Sequence, residues 1–81
     1  MNQTIVWTDV KTSVKKIDRN TYAIYGTVEK LGHIHTYIAT KGVKGWLLAK
    51  ESKNNYFGRA KNLYDAEAKI NDVVYYSYQN L

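Results

Sequence analysis

The absence of cysteine most constrains this chain, because no disulfide can support its fold. A domain of 81 residues buries only about 60–65% of the surface that its unfolded chain exposes. One hydrophobic core must therefore supply nearly all of the stability. The composition, 44% hydrophobic and 14% aromatic, is sufficient for such a core and argues against a disordered chain. We expect one domain spanning residues 1–81.

The N-terminus and the hydropathy pattern predict a cytoplasmic protein. Residues 1–9 contain neither the basic segment nor the apolar run of a signal peptide. No window approaches the roughly 20 apolar residues of a membrane span, so we expect no membrane association. Lysine, asparagine and tyrosine, which have AT-rich codons, are frequent. This bias is typical of an AT-rich bacterium, or of a phage or plasmid living in one.

Alternating side chains predict an antiparallel sheet over residues 5–60. In residues 5–16, every second residue from Val6 to Val14 is valine or threonine, as in a strand with one buried face. A helix is the alternative there, since Val10, Val14 and Ile17 also have helical spacing, but β-branched residues favour strands. Further strands are predicted over 21–29, 33–40, 46–51 and 56–60, with turns or loops at 18–20, 30–32, 41–45 and 52–55.

A helix is predicted to follow the strands. Asn62 is a strong N-cap residue, and Asp65 places negative charge in the first turn. The residues that share one helical face are Leu63, Ala66, Ile70, Val73 and Ser77. This periodicity predicts a helix to about Tyr76, although the propensities of residues 73–78 leave a short final strand as the alternative.

Together these elements predict an α+β fold. The expected architecture is a small antiparallel sheet of four or five strands, arranged as hairpins or a meander. One C-terminal α-helix packs on one face of that sheet. The other face stays open to solvent, where a binding site is expected.

The net charge of +5 is concentrated in the middle of the chain. Residues 31–61 contain six basic residues and one acidic residue, whereas residues 62–81 contain one basic and three acidic residues. Basic residues interleaved with aromatic ones predict a site for nucleic acid, DNA or RNA, in which cations neutralise phosphates and rings stack on bases. The predicted contacts are Lys41, Lys44, Trp46, Lys50, Lys53, Tyr56, Arg59 and Lys61. The alternative is a solvated surface whose lysines protect edge strands, with Trp46 in the core.

The chain also has eight tyrosines, more than so small a core can bury. Exposed tyrosine clusters are common in protein interfaces. The second functional hypothesis is therefore a protein-interaction module, an inhibitor of a host protein or a homodimer, that docks through a tyrosine-rich sheet face. Half-buried rings with hydrated hydroxyl groups are the simpler interpretation. The tyrosines are Tyr22, Tyr25, Tyr37, Tyr56, Tyr64, Tyr75, Tyr76 and Tyr78.

The sequence His33-Ile34-His35 places two imidazoles on one side of a strand. Followed by Tyr64 on a helix, it resembles the HUH family of metal-dependent DNA nickases. That resemblance implies that the histidines hold a metal and that the tyrosine attacks DNA. The spacing from Tyr64 to Lys69 departs from the family pattern, and no third ligand is evident. A hydrogen-bonded or surface histidine pair is the simpler interpretation.

Other catalytic patterns are missing from the sequence. It has no phosphate-binding glycine loop and no Ser/His/Asp order. Asp65, Glu67 and Asp72 are typical of the solvated face of a helix. We therefore expect a binding protein that is not an enzyme and uses no cofactor and no metal. The function predicted is that of a small basic nucleic-acid-binding protein, regulatory and of phage or plasmid type.

Overall fold

Five strands and one helix form the fold, with the architecture that the sequence predicts. The computed structural model describes residues 5–51 and 56–79, and all its elements lie there. They are β1 (Val10–Asp18), β2 (Thr21–Val28), β3 (His33–Gly42), β4 (Gly45–Lys50), β5 (Tyr56–Ala60) and α1 (Leu63–Gln79). Neighbouring strands pair antiparallel in the order β1-β2-β3-β4-β5, a meander that α1 covers on one face. Within the described residues, no helix has the length and apolar character needed to cross a membrane.

The start of the first strand differs from the prediction. Residues Trp7–Asp9 form a 3-10 turn, and β1 begins at Val10 rather than at residue 5. The Asp9 carboxylate accepts a hydrogen bond from the Val6 amide at 2.8 Å, and the Asp9 amide donates to the Val6 carbonyl at 2.9 Å. These local bonds compete with strand pairing. The predicted alternation holds from Val10, which is buried.

The predicted loop 41–45 is shorter in the structure. Strands β3 and β4 pair as far as Gly42 and Gly45, which leaves a two-residue turn of Val43 and Lys44. Gly45 has a φ of +123°, and a Cβ atom there would lie 2.6 Å from the Ala60 carbonyl oxygen. Both the conformation and the close approach require glycine. The predicted turn 52–55 lies outside the described residues.

The helix begins as predicted. The Asn62 side chain accepts a hydrogen bond from the Asp65 amide at 2.8 Å, which confirms it as the N-cap. Asp65 in turn accepts one from the Lys61 amide at 3.0 Å. This bond, together with the nearby charge of Lys69, lowers the pKa of Asp65. The helix continues to Gln79, so the helical interpretation of residues 73–78 is confirmed and its predicted end at Tyr76 was too early.

The buried face of α1 differs from the predicted one beyond Ile70. Val73 and Ser77 are exposed, whereas Val74 and Tyr78 are buried. Val74 packs over Gly26, where an added Cβ would lie 2.8 Å from the Val74 Cγ2 atom. The helix therefore lies against bare backbone at this point. The largest fully buried side chains of the core are Ile24, Val28, Leu48, Ile70 and Val74.

Candidate functional site

The sheet face opposite α1 is not covered by any described element. Pairing and alternation place Lys11 and Lys15 of β1 and Arg59 of β5 on this open face. Tyr25 and Tyr56 are the strand tyrosines with this orientation. Most of the face consists of threonine and aliphatic residues: Thr21, Ala23, Thr27, Ile34, Thr36, Ile38, Thr40, Leu47 and Ala49.

Basic side chains gather at one end of the sheet. In a meander, the β1–β2 turn and the β3–β4 turn lie at the same end, which here also holds the end of β5 and the start of α1. A hydrogen bond of 2.8 Å from the Lys41 amide to the Asn20 carbonyl joins the two turns. Five strands span roughly 19 Å across the sheet. We call this region the basic end; its cations, all exposed, are Lys15, Lys16, Arg19, Lys41, Lys44, Arg59 and Lys61.

Only two carboxylates accompany these seven cations in the described part of the chain. Asp18 accepts a hydrogen bond from the Asn20 amide at 2.9 Å. Asp65 lies 3.5 Å from the Lys69 ammonium group. Neither this ion pair nor the pair of Lys30 with Asp9 at 3.9 Å uses a cation of the basic end. The basic end therefore has a strongly positive potential.

The opposite end of the sheet has a different charge balance. It holds the acidic residues Asp9, Glu29 and Glu51 beside the basic residues Lys11, Lys30 and Lys50. Positive charge is thus polarised along the strands, in addition to being concentrated in one part of the sequence. A charged ligand approaching this protein would be steered toward one end.

The structure brings together four of the eight predicted contacts, Lys41, Lys44, Arg59 and Lys61, at the basic end. Lys50 and Tyr56 lie at the opposite end, and Lys53 is outside the described residues. Trp46 is half-buried on the helix side of the sheet. It packs against the core and lies edge-on to Tyr22, with ring centroids 5.4 Å apart.

Three cations of the basic end were missed by sequence reasoning: Lys15, Lys16 and Arg19. They belong to the β1–β2 hairpin, far along the chain from residues 41–61. The sequence signal that could have identified them was their position in or beside the predicted turn at 18–20. In a meander of five strands, the first turn, the third turn and the end of the fifth strand share an end, and this places all seven cations together.

A shallow depression lies on the open face at the basic end. Its volume is 270 Å³, and it is lined by the β3–β4 turn together with Leu47 and Arg59. Lys44 contributes a second cation to its wall, and Val43 at the tip of the turn is fully exposed. Two cations around one concave surface can hold a phosphate group.

The two histidines have a structural partner. Their imidazoles point to the same side of β3, as predicted, and both reach the hydroxyl of Tyr78 near the end of α1. His33 Nδ1 lies 2.6 Å from the Tyr78 oxygen, and His35 Nε2 lies 2.7 Å from it. A phenol hydroxyl can donate one hydrogen bond and accept another, so it satisfies one N–H and one imidazole lone pair. These contacts of His33 and His35 with Tyr78 connect the last turn of α1 to the start of β3.

The arrangement implied by the nickase resemblance is not formed. Tyr64 lies in the first turn of the helix, 14 positions before Tyr78, which is about 21 Å along the axis. Tyr64 therefore lies far from the two imidazoles. Among the residues that the structure describes, no group of three or more His, Cys, Asp or Glu side chains could hold a metal ion.

The histidine cluster predicts a pH dependence of stability. Burial, then the nearby charges of Lys50 and His33, lower the pKa of His35 below its usual 6.5. The unfolded chain therefore binds more protons than the folded chain between the lowered pKa and 6.5. We expect the free energy of unfolding to fall as the pH decreases through this interval, and His35→Gln to reduce that slope. Urea denaturation of both proteins between pH 7 and pH 5 measures it; identical slopes would contradict this account.

Comparison with known proteins adds no further constraint. No protein family, no curated protein and no solved structure matches this chain. Function must therefore be inferred from the site itself.

Proposed function

We propose that this protein binds nucleic acid, and that the basic end of its sheet contacts the phosphate backbone. The observation that supports this most is the gathering of seven exposed cations from three separate segments at one end of the sheet. Binding without catalysis is the function proposed. An anionic polymer fits such a surface better than a small anion does, because the cations extend across roughly 19 Å of sheet.

The kind of cation indicates how nucleic acid is held. Most cations of the basic end are lysines, with Arg19 and Arg59 as the two arginines. Arginine is the preferred residue for bidentate contacts to guanine, whereas lysine acts as a point charge on phosphates. We therefore propose contacts mainly to the backbone, with little preference for base sequence.

The proposal is tested by fluorescence anisotropy of labelled duplex DNA, single-stranded DNA and RNA at about 50 and 200 mM salt. If about five phosphates are neutralised, log affinity should fall with log salt at a slope near −4.5 on duplex DNA and near −3.5 on single strands. Affinity should then drop about 500-fold or about 130-fold between the two salt concentrations.

The slope, together with the preferred nucleic acid, distinguishes contact with a duplex from contact with a single strand. An absence of binding to all three nucleic acids at the lower salt would contradict the proposal. Protein docking on the open face, where Ile34 is 68% exposed, would then become the leading hypothesis.

A further inference from the structure

A second concave site lies on the other side of the molecule, between α1 and the edge strand β1. It has a volume of 260 Å³ and is lined by Trp7, Thr12, Tyr64, Glu67, Ala68 and Asn71. Its four helical residues fall at positions i, i+3, i+4 and i+7, so they form one stripe of the helix. The pocket is thus a groove with one aromatic ring, Tyr64, from α1 and another, Trp7, from the 3-10 turn that precedes β1.

The tryptophan ring is held in a fixed position although it is 46% exposed. Its indole N–H donates to Asp72 Oδ1 at 2.6 Å. The Trp7 carbonyl accepts a hydrogen bond from Asn71 Nδ2 at 3.2 Å, and Asn71 is itself buried. A ring that is hydrogen-bonded through its N–H, on a residue whose backbone carbonyl is also hydrogen-bonded, loses little conformational entropy when it contacts a ligand. The second ring, Tyr64, is 85% exposed, so its face is accessible.

The charge in the pocket is opposite to that of the whole protein. Glu67 accepts a hydrogen bond from the Thr12 hydroxyl at 3.0 Å, and neither ion pair in the described part of the chain uses it. The Asp72 carboxylate lies beside the indole. The described residues of the lining include no lysine or arginine, although the protein carries a net charge of +5.

We propose that this pocket binds an organic cation, a methylated ammonium or a guanidinium group, between the rings of Trp7 and Tyr64 and beside the Glu67 carboxylate. Aromatic faces attract such cations, and the attraction is greatest where the cation is partly desolvated. The carboxylate adds charge complementarity. This site is separate from the basic end and does not depend on nucleic-acid binding.

The test uses the two indole N–H signals in two-dimensional NMR spectra, assigned with Trp7→Phe. Trp46 lies on the other side of α1 and serves as an internal reference. Tetramethylammonium is compared with its neutral isostere tert-butanol, and N-acetylargininamide with N-acetylcitrullinamide, against equal additions of sodium chloride. We expect a saturable shift of the Trp7 signal with one or both cations and none with the neutral compounds. The tighter cation identifies the chemical source, either a methylated ammonium or a guanidinium group.

Variants assign the contacts. Tyr64→Ala and Glu67→Gln should each weaken cation binding about fivefold, whereas Tyr76→Ala, at an exposed ring elsewhere on the helix, should not. Glu67→Gln keeps an acceptor for Thr12 and so preserves that contact. The proposal is overturned if the neutral isosteres shift the Trp7 signal equally, if no saturable shift occurs, or if Tyr76→Ala weakens binding as much as Tyr64→Ala.

Discussion

Reversing three charges at the basic end, with Lys15→Glu, Lys41→Glu and Lys44→Glu together, is expected to weaken nucleic-acid binding at least about a hundredfold at low salt. Each substitution would remove a proposed phosphate contact and add electrostatic repulsion. All three side chains are exposed, and neither ion pair of the described chain involves them, so the variant should fold normally. Anisotropy titration measures the affinity, and circular dichroism verifies the fold.

A second triple variant separates position from total charge. The substitutions Lys11→Glu, Lys30→Glu and Lys50→Glu lie away from the basic end but change the net charge by the same amount, from +5 to −1. Because Lys30→Glu also removes the ion pair with Asp9, circular dichroism verifies the fold of this variant too. We expect this control to lose much less affinity than the first variant. Equal losses would mean that net charge, rather than the arrangement of cations, determines binding, and would refute an interface at the basic end.

The second large effect is expected in the core. Val74 is fully buried over Gly26, whereas its neighbour Val73 is 37% exposed. We expect Val74→Ala to lower the free energy of unfolding by about 2–3 kcal/mol, because it removes buried methyl groups and leaves a cavity. In a domain of this size, that loss lowers Tm by roughly 10–20 °C.

Val73→Ala is the matched control, since it makes the same chemical change one residue away. Its expected effect is below about 0.5 kcal/mol, as at most surface positions. Thermal and urea denaturation of both variants measure the difference. If Val73→Ala were the more damaging change, the orientation of α1 on the sheet would be wrong.

Val73 and Val74 also show why the sequence alone did not predict the buried face of α1 beyond Ile70. Helical periodicity identified Leu63, Ala66 and Ile70 on one face, but valine at both 73 and 74 made two continuations equally apolar. The contact between α1 and the sheet selects Val74 as the buried residue. Gly26 has no side chain, and the Val74 side chain fills the space above it. Side-chain alternation and turn residues, by contrast, were enough to predict the antiparallel sheet, and the N-cap preference of asparagine was enough to predict the Asn62 cap. Those signals are local in the chain.

Predicting the candidate site required the strand topology as well as the distribution of charge along the sequence. Charge along the sequence selected Lys41 and Lys44, which the structure places at the basic end, but it also selected Lys50, which lies at the other end because of the direction of its strand. Arg19 was overlooked because its neighbours in space are distant in sequence. The hydrogen bonds of the two histidines to Tyr78 could not be predicted from the sequence either, because they depend on where the end of α1 lies over β3.

The most direct test of the central claim is an NMR map of backbone amide shifts in the isotope-labelled protein as an oligonucleotide is added at low salt. The account predicts that the largest changes occur at residues 15–20, 41–45 and 59–62. It predicts small changes around the opposite end, at 29–33 and 50–51. Changes centred on that opposite end, or no changes at all, would contradict a nucleic-acid interface at the basic end.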